Sequence, residues 1–179
     1  MRDRYGWPLI GVHWLTLLFI VAAYVLGSIL HDLPLSPLKL KLYAWHKWIG
    51  LLVLALVPLR IGFRLADRLD HARGLSPLEV RASALVHGLL YLLLLAVPLF
   101  GWLHSSAAGF PVVWFGVLPL PDLVAKDRAL AEVFEELHEG AVNLLVLLVV
   151  LHASAALYHH YFRRDGVLAR MLPGSRKAS

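Results

Sequence analysis

Four stretches of this chain, near residues 8–30, 43–64, 82–104 and 138–162, are apolar for long enough to cross a hydrocarbon layer, which takes about 20 residues at 1.5 Å of rise each. Few folds are open to such a chain. In lipid every backbone donor and acceptor must find its partner inside the protein, so the spans are expected to be helices. The sequence therefore predicts an all-α, integral-membrane four-helix bundle, built as a single domain over residues 1–179 with a periplasmic loop at 105–137. Charge content agrees, at 16% against about 25% in an average soluble domain. The first span is preceded by Arg2 and Arg4 and followed by no small-residue cleavage site, so it reads as a retained anchor.

Lysine and arginine set the expected orientation, because positive flanks stay on the cytoplasmic side. Arg2 and Arg4 precede the first span; Arg60, Arg64, Arg68, Arg73 and Arg81 cluster around the second connection; Arg163, Arg164, Arg170, Arg176 and Lys177 follow the last span. Only Lys39, Lys41, Lys47, Lys126 and Arg128 fall on the other side. Both termini are thus expected on the cytoplasmic side. These topogenic residues account for most of the net charge of +5, so no nucleic-acid partner is expected. Tyr5, Trp7, Trp45, Trp48, Trp102, Tyr158 and Tyr161 lie near span ends, as an interfacial aromatic belt does.

The two connections that follow the second and third spans differ. The first, 65–81, is short and polar, whereas the second carries Pro111, Trp114, Phe115, Pro119 and Pro121 before Glu132, Glu135 and Glu136. It is apolar enough to fold back over the helix ends as a lid.

A histidine inside a membrane span is costly, and neutral imidazole ligates transition metals and haem iron. His138 and His152 lie about four helical turns apart, hence on one face and ~21 Å from each other. On the expected topology, depth pairs His13 with His152 near the cytoplasmic face and His46 with His138 near the periplasmic face. Each pair can supply both axial nitrogens of a b-type haem between facing helices. Taken singly, any of the four also reads as a hydrogen-bonded packing residue. Gly50, Gly140 and Ala141 leave room for a porphyrin, although small residues equally mediate plain helix contact. The chain has no cysteine, which excludes disulfides, thiolate-held iron–sulfur clusters and thioether-linked haem. A metal-ion permease using the same histidines is the rival non-redox reading. Zinc sites, however, need three or four ligands within a few ångströms.

The motifs extend the pattern. They are Val12-His13-Trp14; Trp45-His46-Lys47-Trp48-Ile49-Gly50 leading to Leu59-Arg60-Ile61-Gly62-Phe63-Arg64; His87-Gly88-Leu89-Leu90-Tyr91 with Pro98-Leu99-Phe100-Gly101-Trp102; and Leu137-His138-Glu139, His152, then Ala155 through Gly166. On these the chain resembles the bacterial cytochrome b561 family, four-helix di-haem membrane proteins related to the cytochrome b subunits of hydrogenases and formate dehydrogenases. The resemblance implies two b haems, ligated by the same two histidine pairs, and ubiquinone as electron acceptor. Some members oxidise superoxide at the periplasmic face, and that reaction is the expected activity. The alternative is an electron-relay or anchor subunit that serves a larger dehydrogenase as redox partner.

Under that resemblance other residues gain candidate roles. His87, near the depth of His13, is a propionate or quinone contact, or a substitute ligand. His159 lies on the same face as His152 and ~10 Å nearer the cytoplasm, where it can pass protons to reduced quinone or meet headgroups and water. Arg60 and Arg64 share a face and match haem propionates, or snorkel to the lipid headgroups. Lys39, Lys41 and Lys47 are expected to steer an anionic donor. His31, His71 and His104 fall at span ends or in connections, where solvation explains them.

Overall fold

The computed structural model describes residues 4–67 and 75–174. Arg2, Arg68, His71, Arg73, Arg176 and Lys177 lie outside the described residues. Four long helices follow one another: α1 (Trp7–Asp32), α2 (Pro37–Ala66), α3 (Pro77–Ala107) and α4 (Arg128–Tyr158). All four are long and apolar enough to cross a membrane.

Helices α2, α3 and α4 begin well before the apolar stretches that announced them, because polar caps start helices outside the lipid-like core. Ser36 accepts from the Lys39 amide at 3.2 Å and is followed by Pro37, whose fixed φ suits the first helical position. Ser76 and Glu79 form a reciprocal capping box, 3.3 Å and 2.7 Å, again with a proline next. Asp127 accepts from the Leu130 amide at 3.1 Å, so α4 opens at Arg128 and not at residue 138. The acidic residues Glu132, Glu135 and Glu136 thus belong to the first turns of α4, and the connection expected over 105–137 shrinks to 108–127.

That connection is a lid. Within it β1 (Val113–Trp114) pairs antiparallel with β2 (Leu118–Pro119). Phe115 and Gly116 turn the hairpin at φ 51° and 72°, a left-handed pair that glycine adopts freely and phenylalanine does not. Indole donors fasten the lid to the bundle: Trp48 Nε1 to the Val113 carbonyl at 2.7 Å and Trp102 Nε1 to the Pro121 carbonyl at 3.2 Å. Lys47 Nζ reaches the Phe110 carbonyl at 3.3 Å.

α1 packs on α2, α3 on α4, and α2 on α3. The first and last described segments meet at the end of the bundle opposite the hairpin, where the Tyr5 amide donates to the Arg170 carbonyl at 3.3 Å and Trp14 Nε1 to the Met171 carbonyl at 2.9 Å. We call these the terminal end and the hairpin end. Between them lies an apolar middle of two clusters, Val53, Val57 and Leu94 in one and Leu93, Leu145 and Leu148 in the other. Outward-facing leucines such as Leu92 and Leu147, 59% and 54% exposed, are what a lipid-solvated surface carries.

Candidate functional site

The helices bring His13, His46, His138 and His152 together as two couples, one on each side of the apolar middle. At the hairpin end the rings of His46 (α2) and His138 (α4) have centroids 6.1 Å apart; at the terminal end those of His13 (α1) and His152 (α4) are 6.3 Å apart. This spacing can be tested against an iron between them. Two metal–nitrogen bonds of about 2 Å, each extended by about 1 Å to the ring centre, place centroids about 6 Å apart. Both couples fit. His87 lies 5.1 Å from His152, short of that span, and so stands beside the terminal-end couple.

The hairpin-end couple has the better-defined chemistry. His46 Nδ1 lies 3.0 Å from the Ala23 carbonyl of α1 and His138 Nδ1 lies 2.9 Å from the Val97 carbonyl of α3. A carbonyl only accepts, so both Nδ1 atoms donate and both Nε2 atoms keep a lone pair for a metal. The rings border a cavity of about 1040 Å³, with Gly27, Gly50, Pro98 and Gly101 also on its wall. A Cβ added at Gly50 would stand an ordinary 3.9 Å from the Pro98 Cβ, whereas one at Gly140 would meet nothing within 4 Å. Gly27 and Gly101, to which sequence reasoning gave no role, abut the rings of His46 and His138.

The terminal-end couple is differently supported. Arg60 donates to His13 Nδ1 at 2.8 Å and stacks over the Tyr91 ring at 5.3 Å. While that bond stands, the proton of neutral His13 sits on Nε2, so ligation through Nε2 requires Arg60 to let go. His87 Nδ1 donates along its own helix to the Ser83 carbonyl at 2.6 Å. Arg64 is half-buried one turn beyond Arg60.

Other expected residues fall as follows. Lys39 and Lys47 border the hairpin-end cavity, with Glu135 and Glu139 on its other wall. Lys39 Nζ also donates to the Leu33 carbonyl at 2.6 Å, and Lys41 stacks over Trp45 at 5.1 Å. His31 is exposed in the last turn of α1 and borders the same cavity, whereas His104 Nδ1 donates to the Ala131 carbonyl at 3.0 Å, tying α3 to α4, so solvation does not explain His104. His159 begins a π-helical turn, His159–Arg163, and its Nδ1 meets Asp165 Oδ2 at 2.5 Å. The left-handed Arg164, φ 53°, reverses the chain to allow this contact.

The family model described as prokaryotic cytochrome b561 matches residues 4–174. The chain is 31% identical to cytochrome b561 homolog 2 of Escherichia coli, over 95% of this chain and 92% of that protein. It is 29% identical to a probable superoxide oxidase of Yersinia pestis, over 98% and 99% of the two chains. To a cytochrome b562 of Cereibacter sphaeroides it is 30% identical, over 91% of each.

Proposed function

Because the chain belongs to the prokaryotic cytochrome b561 family, a family of multi-pass, haem b-binding cytochromes of the bacterial inner membrane, we propose that it oxidises superoxide at one face of that membrane and reduces ubiquinone at the other. The observation that carries this reading is the pair of imidazole couples, 6.1 Å and 6.3 Å between centroids, on opposite sides of an apolar middle. His46 and His138 would hold one b haem and His13 and His152 a second. When bound, the haems supply one-electron chemistry at two depths of the bundle.

The rest is the work of side chains and substrates. Two superoxide anions each give up one electron and leave as dioxygen; one ubiquinone takes both electrons and two protons and leaves as ubiquinol. Lys39 and Lys47 at the cavity raise the local concentration of an anionic donor, and Glu135 and Glu139 oppose them. Arg60 is the natural partner of an anionic haem propionate; drawn to one, it would release His13 Nδ1 and free Nε2 for iron. His159, bonded to Asp165, supplies protons at the quinone end. The terminal end is assigned to the cytoplasm. The rival permease would need three convergent ligands, and no such group of His, Asp or Glu exists among the described residues.

Stopped-flow spectroscopy of the pure protein tests donor and acceptor together. Superoxide should reduce two haems per chain without any partner protein, and ubiquinone should reoxidise them. A preparation with two haems that superoxide leaves oxidised would replace this reading with the relay subunit of a larger dehydrogenase.

A further inference from the structure

The two hairpin-end histidines reach their carbonyl acceptors in the same way, on two different helix pairs. His46 bonds to the carbonyl of Ala23, and Gly27 stands four residues after Ala23 on α1. His138 bonds to the carbonyl of Val97, and Gly101 stands four residues after Val97 on α3. In an α-helix the residue at i+4 stands one turn above residue i on the same face, and its amide already takes one lone pair of that carbonyl. A ring from a neighbouring helix reaches the second lone pair only through the space beside the i+4 position.

Both glycines keep that space open. A Cβ at Gly27 would stand 3.3 Å from His46 Cε1, and one at Gly101 would stand 3.2 Å from both Cε1 and Nδ1 of His138. Elsewhere in the helices the contrast is clear, since a Cβ at Gly11, Gly62, Gly88 or Gly140 would meet nothing within 4 Å. A glycine inside a helix is conformationally unfavourable, so this placement calls for a local reason.

We propose that Gly27 and Gly101 are positioning residues for the hairpin-end haem: each admits a neighbouring imidazole to the carbonyl four residues earlier, which fixes Nδ1 as donor and leaves Nε2 as the ligating nitrogen. The proposal rests on the reading that His46 and His138 hold one haem. An imidazole tied to a carbonyl at one nitrogen and to iron at the other cannot give the few tenths of an ångström that an added methyl demands. It must tilt or loosen one bond.

The test uses full-length, haem-loaded Gly27→Ala and Gly101→Ala, with Gly62→Ala as control. Each centre is followed by its α-band, its ferric EPR g values, its midpoint potential and its haem affinity. The hairpin-end centre should change in spectrum and potential and bind haem about 10- to 100-fold more weakly, the usual cost of disturbing a ligand's outer hydrogen bond. The terminal-end centre on the same chain should keep its wild-type signals and so report that the bundle is folded, and Gly62→Ala should keep both. A hairpin-end centre unchanged in both glycine variants, or the loss of both centres together, overturns the proposal. His138→Ala separates the two layers of inference. If it leaves both centres intact, the haem reading itself fails; if it removes one while the glycine variants stay like wild type, only the positioning role fails.

Discussion

His46 and His138 each spend Nδ1 on a carbonyl of a neighbouring helix, whereas His13 meets the guanidinium of Arg60, and this difference at the second ring nitrogen should make the two ends respond differently to substitution. His46→Ala or His138→Ala should drop the haem content from two per chain to one, read by pyridine haemochrome, and leave the terminal-end spectrum in place. Arg60→Leu should instead keep both haems and lower the potential of the terminal-end centre alone, because a nearby positive charge favours the reduced form. At roughly 10 Å and an effective dielectric of ~20 that charge is worth about 1–2 kcal/mol, which a potentiometric titration resolves. Asp165 gives a pH test at the same scale. Burial works against its ionisation, but the hydrogen bonds from His159 at 2.5 Å and the Val167 amide at 3.2 Å prevail and hold its carboxyl below the usual range. A carboxyl with a depressed folded pKa stabilises fully above the free-aspartate value of about 3.9 and loses that contribution as pH falls through the folded value. The turn at 164–170 should therefore stay docked from neutral pH down to about 4 and loosen below it. Amide exchange at Val167 reads the step, and Asp165→Asn should remove the step and speed exchange at neutral pH.

At the scale of elements, the spans were legible from hydropathy while their ends were not. Apolar windows stop where polar side chains begin, yet those polar side chains are what start the helices: Ser36 with Pro37, Ser76 with Pro77 and Glu79, and Asp127 ahead of Arg128. The capping signals were present in the sequence, and charge in the 127–137 stretch concealed the one that opens α4. Glu79 does double service, since it caps α3 and accepts from Arg163 at 2.9 Å, which links the start of α3 to the end of the α4 segment. Ser76→Ala should cost about 1 kcal/mol, the usual value of a lost N-cap, measured by unfolding in mixed micelles. The lid was foreseeable from its apolar composition, but its fastening by Trp48 depends on a register that no periodicity encodes. Trp48→Phe keeps the ring and deletes the donor. It should leave haem content unchanged and speed reduction of the hairpin-end centre by a bulky reductant.

For the molecule as a whole, the histidine couples were legible because depth along a helix is a simple count of residues, and two of the four histidines lie in phase on α4. Lateral contacts carry no such arithmetic. Arg60 on His13 depends on how α1 meets α2, His159 on Asp165 depends on the reversal at Arg164, and Gly27 and Gly101 gain meaning only once the receiving carbonyls are known. Orientation is the remaining whole-molecule quantity, and it rests on charge: Arg4, Arg60, Arg64, Arg81, Arg163, Arg164 and Arg170 gather toward the terminal end, against the smaller set of Lys39, Lys41, Lys47, Lys126 and Arg128 toward the hairpin end. Positive flanks are retained in the cytoplasm, so the hairpin should face the periplasm. The absence of cysteine makes this directly measurable, because any introduced thiol is unique in the chain. Val117→Cys, at the hairpin where the native side chain is 84% exposed, should react with a membrane-impermeant maleimide in intact spheroplasts. Pro173→Cys, exposed at the terminal end, should react only after lysis. The opposite labelling pattern would place the Lys39 and Lys47 cavity in the cytoplasm and remove periplasmic superoxide as its substrate.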